Sequence, residues 1–181
     1  GETITNHSLG VCGTVCLGTA TLTLGSSSVV SGLAVNDSKS HLYQLETIPG
    51  KFAVAVYDIK QPSVANCFNP NNLVSINTGN TPTAGGVAVG IAFDEAKNLV
   101  YIAVSEPNGV FFKHHILVAE AAKPTVIKSS YEVKNWEPGQ IASGLTHVTD
   151  KGSNLYLTNG KKHLKIAVVD ALLAQFTPGA S

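Results

Sequence analysis

Internal self-similarity constrains the fold of this chain more than any other feature. Three segments align on a glycine that opens an apolar stretch: Gly32-Leu-Ala-Val-Asn-Asp-Ser-Lys-Ser-His-Leu-Tyr43, Gly90-Ile-Ala-Phe-Asp-Glu-Ala-Lys-Asn-Leu-Val-Tyr101 and Gly144-Leu-Thr-His-Val-Thr-Asp-Lys-Gly-Ser-Asn-Leu-Tyr156. Tyrosine follows the glycine by eleven, eleven and twelve residues. Each segment then reaches an apolar stretch ending in a carboxylate, with Val56-Tyr-Asp58, Val118-Ala-Glu120 and Val168-Val-Asp170 in corresponding places. Pro62 and Pro124 follow two of these at the same distance, and Val64, Val126 and Phe176 follow all three. Matched features in a fixed order mark a repeat architecture, in which each unit buries its apolar face against its neighbours.

Short runs rich in Val, Ile and Tyr, bounded by Asp, Asn, Ser and Gly, predict strands joined by tight turns. Each unit supplies strand a (Leu33–Val35, Ile91–Phe93, Leu145–Val148), strand b (Leu42–Leu45, Leu99–Val104, Leu155–Thr158) and strand c (Ala53–Ile59, His115–Ala119, Leu164–Val169). A fourth strand is expected near Leu73–Asn77 and Val126–Tyr131. After Asp170 the segment Ala-Leu-Leu-Ala-Gln-Phe176 reads as a helical turn, and the missing fourth strand is matched by an extended stretch at Thr19–Leu24. The expectation is one all-β domain over residues 1–181, with repeats at about 19–60, 73–120 and 126–170, each a four-stranded β-propeller blade. Closed propellers typically need at least four blades, so three imply either a second half that completes a six-bladed ring or a piece of a longer propeller.

The Asp-x-x-x-x-Leu-Tyr signature and the later Val-x-Asp (or Glu) resemble the repeats of the YVTN, NHL and SMP-30-like propeller superfamily, most closely at Asn98-Leu-Val-Tyr-Ile-Ala-Val-Ser105. The likeness covers most of residues 32–170 and implies architecture more than activity, because that superfamily holds lactonases, surface-layer proteins and binding scaffolds. Its SMP-30/gluconolactonase-like members imply an alternative: a lactonase, hydrolase or cyclase with its site in the central channel and a divalent metal such as Ca. The inner strands Gly-Leu-Ala-Val, Gly-Ile-Ala-Phe and Gly-Leu-Thr-His carry no carboxylate, so a metal would need Glu106, Asn108 or Glu137 from loops.

Twelve Lys and Arg balance twelve Asp and Glu, with no basic cluster beyond Lys161–Lys162, which argues against a nucleic-acid partner. The longest apolar run, Gly85 to Phe93, falls well short of the roughly 20 residues that span a bilayer. Cys12, Cys16 and Cys67 allow at most one intrachain disulfide, and a buried thiol, a disulfide and a metal site all stay open for them. No methionine occurs, which a removed signal peptide or a trimmed boundary explains equally. The compartment stays undecided, with secretion the favoured side.

No nucleophile elbow, phosphate-binding Gly-x-x-x-x-Gly-Lys or His-Glu-x-x-His motif occurs. In a propeller the d–a and b–c loops share one face, so the candidate ligand-binding residues are Glu106, Asn108, Phe112, His114 and Asn159 from b–c loops, and Trp136 from a d–a loop. His147 joins them because an imidazole stands where the sister strands carry Val35 and Phe93; a hydrogen-bonded structural histidine is the competing reading. The adjacent His114 and His115 point to opposite faces of a strand and cannot share one ion without a bulge. Asp37, Asp94 and Asp150 recur at the a–b turn, where turn formation explains them. The function expected is a ligand- or protein-binding module that completes its ring with a second copy or a complementary half-propeller chain, with no cofactor.

Overall fold

The computed structural model describes residues 29–48, 50–58, 61–67, 74–75, 86–133, 141–149, 151–169 and 173. These residues form an all-β structure of three antiparallel sheets. The first sheet contains β1 (Val29–Asn36), β2 (His41–Ile48), β3 (Lys51–Asp58) and β4 (Gln61–Cys67) in spatial order, with β5 (Val74–Ser75) also pairing with β3. The second holds β6 (Val87–Asp94), β7 (Leu99–Asn108), β8 (Phe111–Glu120) and β9 (Ile127–Glu132). The third holds β10 (Gly144–Thr149), β11 (Ser153–Thr158) and β12 (His163–Ala167). Apart from β5, which pairs with β3, consecutive strands lie side by side in each sheet, as short connections favour.

The strands follow the expected a, b and c positions closely, and the registers coincide: Ala34 pairs with Tyr43, Ala92 with Tyr101 and Thr146 with Tyr156. In the first two sheets the register shifts just ahead of Gly32 and of Gly90, a bulge at the same place in both. Two expectations need correction. The main fourth strand of the first sheet is Gln61–Cys67, and the expected Leu73–Asn77 contributes only Val74–Ser75. Pro62 is tolerated there because this strand does not lie inside the sheet. In the third sheet, Lys165 stands opposite Tyr156 where Val56 and Val118 stand opposite Tyr43 and Tyr101. Val168 therefore corresponds to Ala121, and Val168-Val-Asp170 is three residues out of step with its supposed counterparts.

β9 pairs with the strand before it, so the second sheet takes in residues 127–132. Leu173 N–H donates to Val169 O, a helical-turn bond, and it is the one described residue of the stretch expected to be helical. Thr19–Leu24, Trp136, Cys12 and Cys16 lie outside the described residues. Among those described, no helix is long and apolar enough to cross a membrane.

The middle sheet is buried on both faces, which explains the unbroken apolar runs at β6 and β7. Val100, Ile102 and Val104 pack with Tyr43, Leu45, Val54 and Val56 of the first sheet. The intervening Leu99, Tyr101 and Ala103 pack with Leu155, Leu157 and Ile166 of the third. Gly32 and Gly90 set the spacing of the inner strands. A Cβ on Gly90 would lie 2.8 Å from the backbone nitrogen of Leu145 and 3.2 Å from the carbonyl carbon of Gly144, and one on Gly32 would lie 3.3 Å from the Gly90 Cα. The inner strands thus approach backbone to backbone, which a side chain forbids.

A paired hydrogen bond repeats at each junction between sheets. Ala88 N–H, two residues before Gly90, donates to Thr47 Oγ1 at 3.1 Å, and Ala142 N–H, two before Gly144, donates to Ser105 Oγ at 3.1 Å. Thr47 and Ser105 each lie four residues beyond the repeat tyrosine, so one position supplies the hydroxyl in both units.

Alanine substitution should rank the glycines by these approaches. Gly90→Ala is expected to cost about 1–3 kcal/mol by overpacking, and Gly32→Ala less. Gly144→Ala meets only Thr158 Cγ2 at 3.4 Å and should be near neutral. Urea unfolding of the three variants checks the order, and an equal loss at Gly144 would contradict it.

Candidate functional site

Each inner strand is the first of its meander and pairs on one edge only: β1 with β2, β6 with β7, β10 with β11. The other edge of each, with its alternating N–H and C=O groups, lacks a ladder partner among the described residues. These edges converge on a groove of about 260 Å³ lined by Leu33, Ala34, Val35, Ile91, Ala92, Phe93, Leu145, Thr146 and His147. They are the same three positions after each repeat glycine, so the close approach at the glycines also builds the groove.

Beside it lies a polar cluster of Asp94, Tyr101, Ser153 and His147. The Asp94 carboxylate accepts from Tyr101 OH at 2.8 Å and Ser153 Oγ at 3.2 Å through Oδ2, and from Lys97 N–H at 3.1 Å through Oδ1. His147 Nε2 lies 2.6 Å from Ser153 Oγ and 3.3 Å from Asp94 Oδ2, with its ring stacked on Tyr101 at 5.7 Å. The side chains of His147 and Asp94 are 6% and 1% exposed, so the imidazole faces the middle sheet and the groove meets the His147 backbone. Burial works to raise the Asp94 pKa, but the hydrogen bonds from Tyr101 and the Lys97 N–H, with His147 nearby, outweigh it and hold the carboxyl below its ordinary value. Burial and the Asp94 carboxylate push the Tyr101 hydroxyl up, and burial keeps His147 below its ordinary value.

Serine, histidine and aspartate are thus assembled, but not as a relay. A hydrolytic triad needs serine on one imidazole nitrogen and the carboxylate on the other. Here Ser153 and Asp94 both approach Nε2, and Ser153 donates to the carboxylate itself. The cluster locks the second sheet to the third, in line with the structural reading of His147.

Tyr101–Asp94 has a partner motif in the first unit. Asn36 Oδ1 accepts from the Lys39 N–H at 3.3 Å, as Asp94 does from Lys97, and Asn36 lies in hydrogen-bonding contact with Tyr43. Ser40 and Asn98, with φ of 55° and 53°, close the two turns alike. The residue equivalent to Asp94 is therefore Asn36 and not Asp37, which corrects the expectation for that turn; Asp150 lies outside the described residues.

The remaining candidates separate into buried and exposed groups. Glu106 and His114 sit within β7 and β8, whose ladder runs out to the Asn108–Phe111 pair around a Gly109–Val110 turn, so what reads as a loop is hairpin. Gly109 has a φ of 64°, which favours glycine there. Glu106 is 4% and His114 2% exposed. His114 Nδ1 meets Ser105 Oγ at 2.9 Å on one face, and His115 Nδ1 lies 3.4 Å from Glu106 Oε1 on the other, as strand alternation requires. Asn108 is exposed and Phe112 half-buried near the hairpin tip. Asn159 Oδ1 accepts from the N–H groups of Lys161 and Lys162, forming the β11–β12 turn. His147 stacks on Tyr101, seven residues along β7 from Asn108 and therefore roughly 20 Å away at strand rise. The described candidates do not converge on one pocket.

The metal of the enzyme alternative calls for several oxygen ligands. The groove residues contribute no carboxylate, and among the described residues no three His, Cys, Asp or Glu side chains gather to hold an ion. The residues described do not fit that group. Neither a protein-family model nor a curated protein matches the chain.

Two outcomes follow. Tyr101→Phe removes the donor from a buried carboxylate and should cost roughly 1.5–3 kcal/mol, whereas Tyr43→Phe, whose hydroxyl donates to the neutral Ala121 carbonyl at 3.5 Å, should cost about half that; thermal unfolding compares them. Burial holds His114 and His147 below their ordinary pKa and pushes His115 down to about 4. The stability tied to a depressed histidine is whole above the unfolded value near 6.5 and is lost as pH falls from there toward 4. For His115 this amounts to roughly 3 kcal/mol. Urea midpoints should drop across that window, and His115→Gln should flatten the decline; an unchanged slope would assign it elsewhere.

Proposed function

We propose that the chain is a binding module of the β-propeller type, with its three sheets as blades and its ligand site in the groove where the inner strands meet. The observation that carries this reading is the convergence of three sheet edges, at equivalent positions, on one groove. The meander order running outward from β1, β6 and β10, and the shared glycine-to-tyrosine register, support blades as the unit.

A second half completes the ring in this reading. The middle inner strand β6 is almost wholly buried, while β1 leaves Val29, Val30, Leu33 and Val35 more than half exposed. The opposite end differs in chemistry. Where the internal junctions carry Leu45, Val54 and Val56, or Ala103, Ile116 and Val118, the third sheet carries Thr158, His163 and Lys165. Its partner must therefore meet it through polar contacts.

Light scattering on the intact chain is expected to give twice the 18.8 kDa chain mass. In a two-copy ring the first sheet of one copy abuts the third of the other, so Leu33→Asp and Lys165→Glu should each return the mass to that of one chain. A monomeric wild type with no complementary chain, or a dimer indifferent to Lys165→Glu, would overturn ring closure.

A further inference from the structure

The hairpins β2–β3, β7–β8 and β11–β12 share one end of the molecule, because the inner strands run alongside one another from equivalent glycines and each pairs with the strand that follows it. The middle hairpin reaches furthest: β7 runs seven residues past Tyr101 to Asn108, β2 five past Tyr43 to Ile48, and β11 two past Tyr156 to Thr158. Its tip is apolar. Val110 is 84% exposed, more than any other large hydrophobic among the described residues, and Phe111 beside it is 48% exposed. Neither turn nor core accounts for Val110. Gly109, with its φ of 64°, supplies the positive dihedral of the two-residue turn, which leaves the next position open to the polar residues that turns favour.

Behind the tip stands a tier of exposed lysines that the sequence scatters and the fold gathers: Lys51, Lys113, Lys161 and Lys162, drawn from all three hairpins. Lys113 is three residues from Val110, roughly 10 Å at strand rise. Lys51 occupies the matching ladder step of the first sheet, five beyond the repeat tyrosine on the paired strand. The carboxylates nearest Lys113 are the exposed Glu132, paired with His115, and Glu106, which is buried against His115. Of the stretches that lead into the inner strands, residues 1–28 contain one glutamate, 68–85 no charged residue, and 134–140 one lysine and one glutamate. The tip and the lysines lie apart from the outer faces of the first and third sheets that ring closure would cover.

We propose that this end of the molecule docks on an anionic lipid bilayer, with Val110 and Phe111 entering the boundary between headgroups and acyl chains and the lysines lying at headgroup level. The offset favours a bilayer over an acidic protein. Apolar groups settle about 5–10 Å into that boundary, so a tip roughly 10 Å ahead of Lys113 and Lys51 leaves their ammonium groups within a Debye length of the lipid phosphates. A fluid interface also takes in a convex apolar tip without a matching cavity.

Co-sedimentation of the intact chain with vesicles of phosphatidylcholine, alone or with about 30% phosphatidylserine, tests this at physiological salt. The anionic vesicles should bind at least about tenfold more tightly than the neutral ones, and Lys113→Gln should weaken that binding about fivefold. Val110→Asp should weaken it at least about tenfold while leaving the circular dichroism spectrum unchanged. Equal affinity for neutral vesicles, no binding at millimolar lipid, or indifference to Val110→Asp would each overturn the proposal. Poly-glutamate, which offers negative charge without an apolar layer, should bind far more weakly than the anionic vesicles; equal binding would assign the surface to an acidic protein instead.

Discussion

The rest of the structure depends on the contact between backbones at Gly32, Gly90 and Gly144. Sheets that carry Leu, Val, Ile and Tyr on their faces pack about 10 Å apart, and holding three of them side by side leaves little room where their first strands meet. Glycine at that point removes the only atoms that would hold the strands apart, and the 2.8 Å that a Cβ on Gly90 would leave to the Leu145 nitrogen measures how little room there is. Once the strands touch there, their next three residues line one groove. The register at the glycine also sets where the tyrosine stands opposite, and with it the faces that make the two cores.

The polar bonds between sheets specify rather than drive this arrangement. Apolar burial is tolerant of sliding, whereas the hydroxyls of Thr47 and Ser105 each accept one defined N–H of the following sheet. The second junction adds Asp94, Ser153, His147 and Tyr101, and its histidine and carboxylate make it the more pH-sensitive of the two. The third sheet has Gly160 where Thr47 and Ser105 stand, so it carries no hydroxyl to pass the pattern on. Together with Lys165 and His163, this gives its outer face a chemistry unlike either internal junction.

Much of this was legible in the sequence, because the repeat reports local structure. The strand positions follow from alternating apolar residues and from turns whose Asx side chains accept a backbone N–H, and both are properties of a few neighbouring residues. What was illegible depends on contacts between distant segments. Pro62 reads as a break, yet a proline sits comfortably in a strand outside the sheet's interior. Pro107-Asn-Gly109 reads as a loop, but only Gly109 and Val110 turn, so Glu106 and His114 are drawn into the buried ladder. Val168-Val-Asp170 imitates the sister motifs, and only pairing with β11 reveals the slip. The hydroxyls of Thr47 and Ser105 could have been noticed, since both stand four residues past the repeat tyrosine.

His147 shows how this bears on function. From the sequence it stood out as a polar residue among apolar siblings, which is also what a binding residue looks like. In the structure, Ser153 on its own sheet and Asp94 on the next lie within reach of one ring nitrogen. An imidazole used this way is withdrawn from the groove, and so are the carboxylates of Asp94 and Glu106, each buried against a histidine. Titratable chemistry is thereby concentrated in the junctions between sheets, where it governs stability and its pH dependence.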